Sequence, residues 1–377
     1  MLALRLFSDC DHSMQWQFYT RTGDAWDAMH EALAQARGSI YLESYIFLDD
    51  EVGRAFVDVL VSKAQQGVDV RLILDGLGSF WFSVQSIQRL RAAGARVVSF
   101  QSLAYRRFFK SLRRLNNRNH RKILIVDKRV GFIGGVNVRK EYQDWLDLHV
   151  RLEGEHILEP MVRSFGQTWI IGGGERRGVR HLLRGSGARW RQRVRHLRYV
   201  FDHPYKRFRE NSQVRHEYIA ACKRAKESIL IATPYFLPDK KLLAAMGAAI
   251  ARGIQIRILV PGRIDVAILQ QAMGRAVKHI HDLGGSVYLL PSMMHGKALV
   301  VDNDYGMIGS SNIDPRSFFS NHEANVTFTQ RAMVADLVHI LKKWRLLASV
   351  YRPKHDFRSS PLEWVLGLVG RLLTPLL

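Results

Sequence analysis

Apolar positions along the chain repeat with two periods, and the two alternate. Over residues 24–37 the apolar groups Ala25, Trp26, Met29, Ala32, Leu33 and Ala36 recur at helical spacing, and the following SIYLESYIF reads as a strand rich in β-branched and aromatic residues. The same logic predicts a helix over 52–66, a buried strand in GVDVRLILDG, a helix over 84–93 and a strand in ARVVSF. From residue 213 the series starts again: a helix over 213–226, the strand SILIATPYF, a helix over 240–252, the strand GIQIRILVPG, a helix over 267–283 and the strand SVYLL. Helix then strand is the unit in both runs.

Corresponding landmarks keep a nearly constant distance. Ser39 to Ser228 is 189 residues, Gly67 to Gly253 is 186 and Gly94 to Gly284 is 190. This is an internal duplication. It predicts an α/β protein of two similar halves, mixed sheets flanked by helices, related by a pseudo-twofold axis. The expected boundaries are 1–172 for the first half, 173–210 for a basic linker and 211–377 for the second half with an apolar tail.

Each run ends in the same polar skeleton, HRKILIVDKRVGFIGGVN at 120–137 and HGKALVVDNDYGMIGSSN at 295–312. A His is followed two residues on by Lys, then by four apolar residues, Asp, six more residues and Gly-x-x-Asn. One short H-x-K match would carry no weight, because such motifs arise cheaply; two copies matching at five positions do carry it. In an extended segment His and Lys two apart share a face, so both emerge on one side of a buried strand. The Asp closes the strand, and the small residues of GFIGG and GMIGSS are expected to let backbone amides and the Asn amide approach an anion. The pattern holds no carboxylate pair and no Cys/His cluster at metal spacing, so no metal or other cofactor is expected and fixed cations stand ready for a phosphate.

This duplicated pattern resembles the signature of the phospholipase D superfamily. With IYLESYIFLDDEVGRAF, LILDGLGS and GSSNIDPRSF…NHEAN, the chain is most similar to the bacterial cardiolipin synthases, in particular the short B type without transmembrane helices. The resemblance implies phosphodiester exchange through a phosphohistidine, with His120 as nucleophile and His295 as acid and base, roles that the near symmetry would allow to be reversed. Lys122, Lys297, Asn137 and Asn312 would hold the phosphoryl oxygens, and the hydroxyls of Ser310 and Ser311 would add to that site. Asp147, 27 residues after His120, and Glu323, 28 after His295, would each orient a catalytic His. Asp127 and Asp302 complete the catalytic signature, and are expected to stabilise strand ends and inter-domain contacts rather than to touch phosphorus. His149 and His322, on the opposite strand face from these acids, are assigned to solvent or core packing. Glu43, where the second copy has Ala232, is left between substrate recognition and a buried ion pair.

Composition narrows the partners. With 377 residues and 47% hydrophobic content the chain fills two cores, and a net charge of +22 points to polyanions. The expected partner is an anionic phospholipid membrane, with phosphatidylglycerol as substrate and cardiolipin as product, at the cytoplasmic face of the bacterial cell membrane as a peripheral protein. Nucleic acid is the disfavoured polyanion, and no partner protein is specified. Only Cys10 and Cys222 occur, and the start MLALRLFSDCDHS has too short an apolar run for a signal peptide, so reduced thiols are expected.

Three segments are candidate membrane contacts. LAYRRFFKSLRRLNNRN, inserted before His120, interleaves aromatics with Arg and Lys; residues 176–209 carry 12 Lys and Arg against one Asp; and PLEWVLGLVGRLLTPLL holds 17 residues with Glu363 and Arg371 as its only charges, short of a comfortable span. For each, a solvated or docked segment is the plain alternative. The leading reading is a phosphatidyltransferase that joins two phosphatidylglycerols into cardiolipin and glycerol. A phosphodiesterase of the same fold acting on lipid or nucleic acid is the rival enzyme, and a non-catalytic membrane scaffold is disfavoured by two intact signatures.

Overall fold

The structure is a computed structural model that describes residues 14–101, 117–154, 156–184, 196–204, 212–353 and 356–357. Its first half places seven strands, β1 (Gln15–Arg21), β2 (Ser39–Ser44), β3 (Asp69–Asp75), β4 (Arg96–Phe100), β5 (Ile123–Val126), β6 (Val130–Gly134) and β7 (Leu146–Glu153), in the order β1-β7-β6-β5-β2-β3-β4. The second half repeats this with β8 (Leu197–Asp202), β9 (Ser228–Ala232), β10 (Gln255–Pro261), β11 (Ser286–Leu290), β12 (Ala298–Val301), β13 (Tyr305–Gly309) and β14 (Glu323–Phe328). Read from the other edge, its order is β8-β14-β13-β12-β9-β10-β11, with the short β15 (Ser349–Val350) added beyond β11. Every strand of the first sheet thus has a partner seven strands later.

Both sheets are mixed. β2, β3 and β4 pair in parallel and so do β9, β10 and β11, because a helix crosses over between consecutive strands. β5–β6 and β12–β13 are antiparallel hairpins that carry the two signatures. The crossover helices α1 (Thr22–Gln35), α2 (Glu51–Gln65) and α3 (Val84–Ala92) recur as α5 (Gln213–Arg224), α6 (Lys240–Ala251) and α7 (Ala267–Asp282), within a few residues of their expected spans. Four of the six open on caps that a helix start prefers: Asp50 accepts from Gly53 N, Ser83 from Ser86 N, Ser212 from Arg215 N and Asp239 from Leu242 N.

Strand alternation builds three cores. On β2 and β5, Ile40, Leu42, Leu124 and Val126 face the first half's helices, while Tyr41, Ile123 and Ile125 face the opposite way. That second face belongs to a central core shared by both halves, where Leu148, Val150 and Phe165 join Val326, Phe328 and Trp344. Two helices that follow the signatures fill it, α4 (Glu159–Ile171) and α8 (Arg331–Leu347). β6 and β7 lie against β13 and β14, so the signatures meet at the middle of the molecule.

The expected linker needs correction. Val179 and the short helix Arg180–Leu183 bury Val179 and Leu182 in the central core, and residues 197–202 form β8, paired antiparallel with β14 from Leu197↔Phe328 to Asp202↔Glu323. Alternate residues Leu197 and Tyr199 face the core while Arg198 stays exposed, so a charge-rich stretch still supplies a strand. Residues 185–195 and 205–211 of that stretch, most of the basic insertion (102–116) and the apolar tail lie outside the described residues.

The signature aspartates sit at the end of the hairpin strands away from the histidines. Asp127 accepts from the backbone amides of Arg37, Gly38 and Ser39 at 2.9, 2.7 and 2.8 Å, and Asp302 accepts from those of Lys226, Glu227 and Ser228 at 2.8, 2.9 and 2.8 Å. Both adopt left-handed backbone, φ 51° and 50°, which a short polar side chain tolerates in a tight turn. They fix strand ends, as expected. They make these bonds within their own half, which removes them from the inter-domain contacts and from the catalytic group in which the signature had placed them. Replacing Asp127 by Ala is expected to cost about 1–3 kcal/mol by stranding three amides. Thermal unfolding followed by circular dichroism would show this as a lower Tm, with turnover per folded molecule unchanged.

Candidate active site

The H-x-K segments lie just before their strands, which begin at Ile123 and Ala298. Each is stitched to the other half by backbone pairing. His120 N donates to His322 O at 3.0 Å and His322 N to Arg118 O at 2.8 Å; across the pseudo-twofold axis, His295 N donates to Leu146 O at 2.7 Å. Isolated bridges Asn119↔His322 and Leu146↔Met294 mark the same two seams.

That stitching sets the side-chain partners. His120 Nδ1 lies 3.0 and 3.1 Å from the two carboxylate oxygens of Glu323, and His295 Nδ1 lies 2.9 Å from Asp147 Oδ2. Both orienting carboxylates expected from the sequence are therefore in place, and each serves the imidazole of the opposite half. With Nδ1 engaged, Nε2 is the nitrogen left for chemistry in either ring. Tyr45 packs edge-on to His120 at 4.8 Å between ring centres, and Trp145 flanks His295 at 5.8 Å.

Lys122 and Lys297 are buried and each donates to the carbonyl of its own His, at 2.7 and 2.5 Å. One bond of this kind leaves two N–H groups per ammonium for an anion. Asn137 accepts from Ile46 N through Oδ1 at 3.2 Å, which turns its amide nitrogen away from that strand. Asn312 bonds Asp314, and its Oδ1 meets no partner among the described residues.

The serines and glycines of the motif do something other than expected. Ser310 donates its hydroxyl to Glu323 and accepts from Ala324 N at 3.0 Å, and Ser311 Oγ accepts from Asn325 Nδ2 at 2.7 Å, so both are committed to the strand behind the site rather than to phosphate. Gly135, the counterpart of Ser310, is small for a related reason: a Cβ there would lie 2.1 Å from Asp147 Oδ1. The small residues admit the orienting carboxylate and its strand, which corrects the expectation that they open a path for an anion.

Electrostatics divide the two halves. Burial pushes both imidazoles below their ordinary pKa, His120 well below, with Lys122, Lys297 and His295 adding to the effect. For His295 burial and Lys297 act in that direction while Asp147 pulls back. Burial raises Asp147, but the facing His295, Lys297 and the Leu148 amide outweigh it and hold its carboxyl below the usual range. Burial wins at Glu323 and raises its pKa despite Lys122 and Ser310. Lys122 is pushed well below the ordinary lysine value by burial and by Lys297, and burial brings Lys297 down to about 8.

Other residues surround the site, and of these Arg121 gave no sequence signal. Asp75 is fully buried and holds Arg118 Nε at 3.1 Å and Asn119 N at 2.8 Å, which fixes the chain immediately before His120. Asn119 Nδ2 donates to Glu43 at 3.0 Å, and burial raises the Glu43 carboxyl to about 7, offset in part by Arg121. Glu43 thus lies within a buried network, hydrogen-bonded among the described residues to an amide rather than held in an ion pair. Arg121, between His120 and Lys122, threads inward to Glu323 O, Ser164 Oγ, Thr168 Oγ1 and Asp202 O at 3.1, 2.9, 2.6 and 3.2 Å. His149 and His322 are buried in packing, against Phe132 and Phe100 respectively, in keeping with the non-catalytic assignment.

With this geometry in view the comparisons with known proteins are direct. The family described as cardiolipin synthase, PLD-like domain matches residues 29–169 and 218–344, one span in each half. The chain belongs to that family. It is 34% identical to the probable cardiolipin synthase YwiE of Bacillus subtilis (strain 168) over 81% of this chain and 61% of that protein. It is 33% identical to the cardiolipin synthase of Alkalihalophilus pseudofirmus over 92% and 69%, and 32% identical to the major cardiolipin synthase ClsA of B. subtilis over 94% and 73%. The chain thus spans less than two thirds of YwiE and somewhat more of the others. Among solved structures, the phosphatidylserine synthase of Haemophilus influenzae Rd KW20 has the same fold, with TM-score 0.73 and 13% identity over 96% of this chain and 94% of that one. The polyphosphate kinase of Porphyromonas gingivalis matches with TM-score 0.59 and 14% identity over 97% and 53%.

Asp147→Asn and Glu323→Gln keep the shape of each pair and remove the charge that fixes the tautomer. Either change is expected to lower kcat by about 10²- to 10⁴-fold, as in other oriented-imidazole sites, with Tm little altered. Steady-state kinetics on the two variants would check this.

Proposed function

We propose that this protein is a cardiolipin synthase-type phosphatidyltransferase that moves a phosphatidyl group from one phosphatidylglycerol to a hydroxyl of another. The observation that carries the reading is the pair of buried imidazoles, each held through Nδ1 by a carboxylate of the opposite half, beside two buried ammonium groups.

In the first step His120 Nε2 attacks phosphorus, a P–N bond forms, the P–O bond to the head-group glycerol breaks, and His295 gives its Nε2 proton to the departing alkoxide. In the second, His295 takes the proton of a phosphatidylglycerol hydroxyl, whose oxygen attacks phosphorus and releases His120. Cardiolipin and glycerol are the products. The electrostatic asymmetry supports this division: His120 has the stronger bias to the neutral, attacking form, and the ionised Asp147 favours a protonated His295. Lys122 and Lys297, with the amides of Asn137 and Asn312, offset charge on the non-bridging oxygens.

Substrates of this kind reside in an anionic leaflet, which suits a chain of net charge +22. Among the described residues no helix is long and apolar enough to cross a membrane. On this reading the protein works as a peripheral protein at the cytoplasmic face of a bacterial cell membrane.

Incubation with phosphatidylglycerol vesicles, without added nucleotide or metal, is expected to yield cardiolipin and glycerol. Phosphatidate alone would make the protein a hydrolase, and oligonucleotide cleavage with no lipid turnover would make it a nuclease. With lipid labelled in the phosphatidyl group, His295→Ala is expected to retain label on His120 while His120→Ala retains none. Label on His295 would reverse the two roles.

A further inference from the structure

Four of the nine large hydrophobic side chains that stand exposed among the described residues fall within eight consecutive positions: Leu77 at 47%, Phe80 at 56%, Trp81 at 76% and Val84 at 65%. Leu77, Phe80 and Trp81 lie on the loop that joins β3 to α3, and Val84 opens α3. A patch of this kind on an otherwise well-covered surface marks a contact.

The loop is held firmly, with its apolar tip turned out. Ser79 and Phe82 are buried: Ser79 Oγ donates to Tyr45 O at 2.9 Å and accepts from Phe47 N at 3.0 Å, and the Phe82 ring packs on Phe47 at 5.0 Å. Between these two anchors the Phe80 and Trp81 rings stand edge to face, 5.1 Å apart, in solvent. Gly78 passes so close to Tyr45 that a Cβ would lie 2.3 Å from the Tyr45 carbonyl oxygen.

The same contacts tie the loop to the catalytic segment. Asp75 Oδ1 accepts from Leu77 N and Gly78 N at 2.9 and 3.0 Å, while its Oδ2 accepts from Asn119 N, the residue before His120. Tyr45, which the loop grips, is the ring against His120. One buried carboxylate and one aromatic ring thus fix the position of the exposed tip relative to the nucleophile.

We infer that this loop is a membrane-docking wedge: Phe80 and Trp81, flanked by Leu77 and Val84, seat in the interface of an anionic phospholipid bilayer and hold the catalytic mouth against it. The occupant follows from chemistry. Residues 76–88 carry no charge, so nothing in the loop resists entry into the interface, and the first charge beyond it is Arg89. Tryptophan is the side chain that best suits the boundary between head groups and acyl chains. The net charge of +22 draws the whole chain to an anionic leaflet, and the wedge adds the apolar contact that salt does not screen. The inference rests on the phosphatidyl-transfer reading for its choice of a lipid surface.

The full chain would be sedimented with vesicles of equal parts phosphatidylglycerol and phosphatidylcholine, at low salt and at about 1 M salt, where screening acts within about 3 Å. The Phe80→Ser/Trp81→Ser double variant is expected to bind about tenfold or more weakly than the parent at high salt, as loss of two interfacial aromatics implies. It should turn over monomeric dihexanoyl-phosphatidylglycerol at the parent's rate. Quenching of tryptophan fluorescence by bromine-labelled acyl chains should fall with Trp81→Phe, which keeps an apolar ring. Equal high-salt binding by parent and double variant would overturn the proposal. So would a change from oligomer to monomer without weaker vesicle binding, which would assign the patch to a second copy of the chain. Vesicle binding is read without turnover, so absence of turnover by the parent would remove the transferase reading alone.

Discussion

The exchange of carboxylates across the pseudo-twofold axis constrains the rest of the structure. Glu323 reaches His120 and Asp147 reaches His295, over 203 and 148 residues of chain, and each pair is almost fully buried. Each carboxylate supplies the acceptor for Nδ1 of the imidazole in the opposite half, so neither half presents its imidazole in the oriented form without the other. The shared core that holds β6 and β7 against β13 and β14 is what brings both pairs into register. Two buried lysines, Lys122 and Lys297, stand beside these pairs. On the proposed reading, a phosphodiester would meet these two side chains.

The duplication is not a perfect copy, and the differences gather on one side of His120. Arg121 and Glu43 in the first half correspond to Gly296 and Ala232 in the second. Arg121 runs into the central core and ties β5 to α4 and β8. At Gly296 the same space belongs to Trp344, whose ring would sit 2.7 Å from any added Cβ. A charged network therefore backs one imidazole and an aromatic wall backs the other. The two symmetry-related histidines therefore sit in unlike surroundings, which is what the proposed division into nucleophile and acid calls for.

Much of this was legible in the sequence because it is periodic. Six crossover helices and the strands between them follow from apolar spacing, and the two signatures give His120, Lys122, His295 and Lys297 by position alone. What escaped was of another kind. β1 and β8 are edge strands whose pairing is dictated by β7 and β14, and β8 hides within a run of arginines. α4 did leave a trace, with Pro160 in its first turn and Met161, Val162, Phe165 and Trp169 at helical spacing, but it lies beyond the signature that drew attention. Arg121 gave no sign, since an arginine between two site residues reads as a solvated charge. The partner of each histidine is a contact across most of the chain, and no local pattern records whether Asp147 serves His120 or His295. Ser310 misled for the same reason: its role depends on the extra methylene by which Glu323 exceeds Asp147.

The crosswise pairing is most directly tested by nitrogen-15 NMR of the imidazoles in the intact chain, with His120 and His295 assigned by substitution. The account predicts that Glu323→Gln moves the Nδ1 and Nε2 resonances of His120 and leaves those of His295 near their parent positions, while Asp147→Asn does the reverse. If Glu323→Gln instead moved His295 and Asp147→Asn moved His120, each half would be orienting its own histidine, and the central claim would be contradicted.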